Sequence, residues 1–179
     1  MSNSNQWVFD PTHSEISFKV KHLMITNVKG EFRKFSASLE SADDKFTNAV
    51  AKASIDVSSI FTKNEDRDNH LKAPDFFDVE KYPTIEFESS SFEKFDSENG
   101  QLKGKLTMKG MSKDIVLDVE FGGMSKDPWG NQKTGFSISG KINRNDFGLT
   151  WNAALETGGV LLSEDIKIFA EIQFVKQSA

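Results

Sequence analysis

The chain has 179 residues, no Cys, and 27 acidic against 22 basic residues for a net charge of −5, a length that suits one domain whose core needs no disulfide or metal support. The missing Cys excludes disulfides, thiol nucleophiles, Cys-ligated zinc and iron–sulfur clusters, and Lys and Arg dispersed along an acidic chain lack the clustered charge that holds nucleic acid. Sixteen Phe stand against 3 Trp and 1 Tyr, so most rings bring apolar area and no hydrogen-bonding group.

Period-two alternation, the mark of strands with one buried face, dominates from the start. After a short Trp7–Asp10 segment, Ile16, Phe18, Val20 and His22 alternate with Ser17, Lys19 and Lys21, and Gly30 marks a break. Phe35/Ala37/Leu39 and Ala49/Ala51/Ala53/Ile55/Val57 follow. Thr62-Lys63-Asn64-Glu65 has the Thr-x-x-Glu form of a capping box. It predicts a helix of about ten residues ending before Pro74, because the residue before a proline is pushed out of the α region. Ala73-Pro74-Asp75-Phe76-Phe77-Asp78 reads as a turn carrying two large rings.

Downstream, Ile85/Phe87/Ser89 and Leu102/Gly104/Leu106/Met108 flank Glu98-Asn99-Gly100, where Asn-Gly predicts a hairpin because both residues accept positive φ. Gly110 marks another break before Ile115/Leu117/Val119/Phe121, and Asp127-Pro128-Trp129-Gly130-Asn131 is a turn. Phe136/Ile138/Gly140/Ile142 and Ile166/Ile168/Ala170/Ile172/Phe174 complete eight or nine strands. Hairpin after hairpin, with one helix, predicts an all-β antiparallel meander and no parallel βαβ sheet. A sheet of eight such strands closes into a barrel just wide enough to be filled by side chains or to hold one small ligand. No linker divides the chain, so residues 1–179 are expected to form one domain, with 1–5 as a disordered tail. The N-terminus has neither a basic nor an apolar signal region, and no stretch is long enough to span a membrane. A cytoplasmic location is expected, or a periplasmic one if a leader has been removed.

Several short patterns follow one another along the chain: Trp7-x-x-Asp10-x-x-His13-Ser14-x-Ile16-x-Phe18-x-Val20, Gly30-x-Phe32, Ile60-Phe61-Thr62, Arg67-Asp68-Asn69-His70-Leu71, Asp75-Phe76-Phe77-Asp78, Tyr82-Pro83-x-Ile85-x-Phe87-x-Ser89, Gly104-x-Leu106-Thr107-x-x-Gly110 and Arg144-x-Asp146-Phe147-Gly148. In this order and spacing the chain resembles the YceI-like family of lipid- or polyisoprenoid-binding proteins from Trp7 to about Phe174. The resemblance implies an extended, eight-stranded lipocalin-like barrel with a short helix and loops capping one end. It further implies an elongated apolar interior that binds, sequesters or transports a long-chain isoprenoid, quinone or related amphiphile, with no catalytic machinery and no other cofactor. It also raises a homodimer, although barrel closure leaves no free edge for strand addition.

An apolar chain in a preformed slot is held by buried area, with polar groups confined to the mouth. Phe18, Val20, Phe35, Phe87, Leu106, Leu117, Val119, Phe136 and Ile138 are the candidate lining residues, against plain core packing. Leu71, Phe76 and Phe77 on the helix-and-turn segment, with Trp151 after the Arg144 turn, are candidates for a lid or rim. Arg67, His70 and Arg144 are the head-group candidates, since a guanidinium fork suits a diphosphate or carboxylate. The competing expectation pairs Arg67 with Asp68, Arg144 with Asp146, and His70 with Arg67 or Asp68. His13, His22 and His70 lack metal-ligand spacing, so no metal is expected. Two alternatives remain: a lipid-acting enzyme using His70 with Asp68, although no Gly-x-Ser-x-Gly elbow, P-loop or dinucleotide fingerprint is present, and a solid-core stress-response module that binds another protein.

Overall fold

The alternating segments pair with one another in sequence order. The structure, a computed structural model, describes residues 5–23, 25–46, 48–150 and 162–177. Its strands are β1 (Asn5–Phe9), β2 (Glu15–His22), β3 (Thr26–Phe32), β4 (Phe35–Ser41), β5 (Val50–Asp56), β6 (Ile60–Phe61), β7 (Thr84–Lys94), β8 (Asn99–Met108), β9 (Met111–Lys126), β10 (Gln132–Asn143) and β11 (Leu162–Lys176), with helix α1 (Glu65–Lys72) between β6 and β7. β1 and β2 lie end to end along β11, with Trp7 opposite Lys176 and Ile16 opposite Ala170. β4 and β3 continue that pairing on the other side, and β5 and β6 follow them. The segments therefore form eight antiparallel staves, each bonded to its sequence neighbour and the last to the first. This is the expected closed barrel.

The bends have local causes. Asp10 caps a 3-10 turn at Pro11–His13 by accepting from the Thr12 N–H, and Asp56 does the same for Val57–Ser59 through Ser58. The first turn interrupts a stave without ending it, because β1 and β2 both pair with β11; after the second, β6 pairs with β3, where β5 paired with β4 and β7.

Four local expectations are corrected. Asn64, not Thr62, caps the helix, its side chain accepting from the Arg67 N–H, and α1 is eight residues long. The Thr62 hydroxyl instead donates to the buried Asp68 carboxylate at 2.5 Å, a stronger, charge-assisted use of the group. Asn99 and Gly100 are the first residues of β8. The turn before them is held by the Asp96 carboxylate, which accepts the N–H groups of Glu98 and Asn99. The two-residue turn with positive φ is Lys109-Gly110, at 52° and 75°. Gly30 breaks nothing; it lies inside β3 opposite Phe18. Asn5, assigned to a tail, is already paired with Ser41.

The apolar faces form two clusters. One, at the α1 end, gathers Phe32, Ile60, Phe76, Phe77, Met108, Phe147 and Leu149; the other gathers Trp7, Leu39, Phe46, Leu117, Phe136 and Phe174. Ile16, Phe35, Phe87, Ile115 and Ile168 touch both.

Candidate ligand cavity

Between the clusters the barrel is hollow. A cavity of about 190 Å³ is bordered by β2–β5 and β7–β11, and its wall is almost entirely carbon. Ala37, Ala49, Ala51 and Ala53 put methyl groups on the cavity wall where other strands put Phe18, Phe87 and Phe136, and the void opens beside them. Ala37 and Ala53 face each other across β4 and β5, so at that point two methyl groups meet with no large side chain between them. Interleaving of large side chains with small is what fills a solid core.

Both ends are stoppered by rings. At the α1 end Leu71, Phe76 and Phe77 pack into the first cluster, and Phe77 meets Phe32 edge-on at 6.3 Å. At the other end Phe46, from the β4–β5 loop, lies 5.6 Å from Trp7, 5.3 Å from Phe121 and 5.1 Å from Phe136, and is 3% exposed. Phe46 has φ 62°, a conformation that non-glycine residues adopt only where the surroundings impose it. The Asp43 carboxylate and carbonyl, accepting from the Lys45 and Phe46 N–H groups, shape the loop that points the ring inward.

Seven of the nine lining candidates border the cavity: Phe18, Phe87, Leu106, Leu117, Val119, Phe136 and Ile138. Phe35 does not border it, although it packs against both clusters and its ring meets Phe9 at 5.1 Å. Val20 sits further along β2, opposite Val28 and Ile166. Leu71, Phe76 and Phe77 belong to the stopper, and Trp151 lies outside the described residues. Phe46 was missed. Its signal is one large apolar residue in the polar run Asp43-Asp44-Lys45-Phe46-Thr47-Asn48, which alternation does not weigh.

The three cationic candidates are engaged away from the cavity. Arg67 donates through Nε to the Thr62 hydroxyl at 2.8 Å and through Nη2 to the Thr62 carbonyl at 2.6 Å, not to Asp68. Arg144 is 2% exposed and donates to the Leu149 carbonyl at 2.6 Å and the Ser163 carbonyl at 2.9 Å, in place of the expected bond to Asp146. Burial pushes its guanidinium below its ordinary value, and Glu164 opposes that. His70 Nε2 lies 2.8 Å from Asp75, not on Arg67 or Asp68, and this bond holds the Asp75 carboxyl below the usual range. The His13 ring meets Asp10 at 2.9 Å. Among the described residues no group of three or more His, Asp or Glu side chains could hold a metal. No described helix is long and apolar enough to cross a membrane.

Residues 7–174 match the sequence profile of the YceI-like domain. A UPF0312 protein of Staphylococcus aureus is 45% identical over 169 residues, covering 94% of this chain and 96% of its own. One of Staphylococcus epidermidis is 46% identical over 167 residues, covering 93% and 95%. Among solved structures, the Campylobacter jejuni YCEI protein is 41% identical with a TM-score of 0.76, covering 88% of this chain and 90% of its own. A polyisoprenoid binding domain from Saccharophagus degradans, 14% identical, shares the fold with a TM-score of 0.65 over 96% of this chain and 98% of its own.

Proposed function

The chain belongs to the YceI-like family, and from that premise and the hollow barrel we propose that it binds and carries a long-chain isoprenoid or related amphiphile, such as a polyprenyl or quinone tail, without acting on it. The observation that carries the reading is the cavity wall, which offers carbon and almost nothing else. Such a wall neither orients nor activates a reacting group, but it rewards any apolar chain by area, at roughly 25 cal/mol per Å² removed from water. The fold shared with a polyisoprenoid binding domain supports the same ligand class. His70 and Asp68, the pair an enzyme would use, bond Asp75 and Thr62 and do not border the cavity, which favours carriage over catalysis.

Size sets a condition. A cavity of about 150 Å³ takes up benzene, so the 190 Å³ here accommodates a short branched segment. A longer tail enters when the stoppers or wall rings rotate away. Native mass spectrometry of protein purified from its host, followed by organic extraction, tests the reading. The expected result is a stoichiometric amphiphile of low polarity. Protein that leaves its host without lipid and takes up no decylubiquinone from solution would overturn it.

A further inference from the structure

On the outer wall the strand register lines up lysines that are far apart in sequence. Lys29 of β3 is directly opposite Lys19 of β2, Lys19 opposite Lys167 of β11, and Lys167 opposite Lys141 of β10. Four lysines thus start from one row of backbone positions across four adjacent strands, a span of about 14 Å. Lys21 lies two residues along the same face of β2. Like charges placed directly opposite destabilise a sheet, and the row has little relief. Among the described residues Asp165 pairs with Lys141 at 3.6 Å, while Lys19, Lys29 and Lys167 make no ion pair. Glu31, two residues from Lys29, is held by Arg33 at 3.1 Å. Lys19 rests its ammonium 5.4 Å from the Phe169 ring on the same wall. Beyond the row, the β2–β3 hairpin ends in Leu23 and Ile25, which are 38% and 78% exposed.

From this juxtaposition we infer that the β3–β2–β11–β10 wall docks on an anionic lipid bilayer, with the lysine row against the head groups and the Leu23/Ile25 tip in the interface. The bare apolar tip favours a bilayer over a nucleic acid, which would leave it in water. The net charge of −5 does not oppose docking, because charges more than about 8 Å from the contact are screened at physiological salt. Each lysine near such a surface strengthens binding about fivefold. Docking is independent of cavity filling, so a barrel that never carries lipid could still dock.

Co-sedimentation with vesicles of equimolar phosphatidylcholine and phosphatidylglycerol, compared with pure phosphatidylcholine, tests it. Wild-type protein is expected on the anionic vesicles only, with binding that weakens as salt rises. The double variant Lys19→Glu/Lys167→Glu should lose at least about twentyfold of that binding while keeping its melting temperature, because repulsion is relieved. The pair Lys103→Glu/Lys105→Glu on the β8 wall, carrying the same change in net charge, should lose little. Ile25→Ser should weaken binding without changing its salt dependence. If the double variant does not fold, Lys19→Gln/Lys167→Gln replaces it. No binding by wild type, equal binding to neutral vesicles, equal loss from the β8 pair, or equally tight binding to duplex DNA overturns the inference. Extraction of the same samples reports cavity lipid separately, so a failure of docking and a failure of carriage are told apart.

Discussion

The ring of Phe18 packs onto Gly30, its partner across β2 and β3, so closely that a β-carbon at residue 30 would overlap the ring. Phe87 packs over Gly104 in the same way, and Leu117 over Gly140. All three side chains border the cavity, so the glycines hold large groups back against the wall and keep the interior hollow. Gly30→Ala should tip the Phe18 ring into the void, lowering stability by about 1–3 kcal/mol and sharply reducing extracted lipid. Unchanged lipid content in a folded variant would show that the ring position does not define the usable space.

Adding carbon to the void should separate binding from folding. Ala51 borders the cavity with nothing larger than a methyl group. Ala51→Leu is expected to leave melting unchanged or raise stability by about 1 kcal/mol, while abolishing uptake of decylubiquinone. Loss of both properties would mean that the space is not open to a side chain.

The Phe46 stopper joins two opposing quantities, an aromatic contact area and a positive φ. Phe46→Ala should cost about 3 kcal/mol for the lost ring and speed ligand exchange by stopped-flow fluorescence. Phe46→Gly should be the more stable of the two, because glycine tolerates φ 62°. An alanine variant that exchanges ligand at the wild-type rate would place the entrance elsewhere.

Trp7 is 2% exposed, and its indole Nε1 has no hydrogen-bond partner among the described residues. A buried unpaired donor costs about 1–3 kcal/mol, comparable to the apolar area that a smaller ring gives up. Trp7→Phe should therefore change stability by less than about 1 kcal/mol in urea denaturation, far below the usual loss for a buried Trp. A loss of several kcal/mol would reveal a partner for that N–H.

Asp10 provides the pH dependence. Hydrogen bonds from the Thr12 hydroxyl first, and from the His13 ring and Thr12 N–H, outweigh burial and lower its carboxyl from 3.8 to about 2. A carboxyl depressed in the folded state stabilises fully above its unfolded value, and the contribution disappears as pH falls from about 4 towards 2. Asp10→Asn should cost about 1 kcal/mol at neutral pH. It should also flatten the acid limb of the melting curve relative to wild type, since Asp75 and Asp96, also lowered, titrate in both proteins. Parallel acid limbs would assign the dependence to those other carboxylates.

The strands were legible because alternation is written into residues such as Ile115, Leu117 and Val119, and one buried face needs nothing beyond the chain itself to be recognised. Local competition was not. Thr62 had both the residue type and the spacing of a cap, yet Asp68 offered it a charged acceptor and Asn64 took its place. Arg67 and Arg144 had acids next to them in sequence but found backbone carbonyls, because where a long side chain ends is set by burial and not by its neighbours along the chain.

The sequence by itself determined the antiparallel barrel, the apolar lining that seven of its candidates share, and the family, because these depend on periodicity and on ordered motifs. Only the tertiary structure decided that the barrel is hollow, that Phe46 closes one end, and that four scattered lysines form one row. Volume is a property of how residues on different strands meet: the space that the alanines leave stays open only where no ring from another strand fills it, and a shift of one residue in register would break up the row.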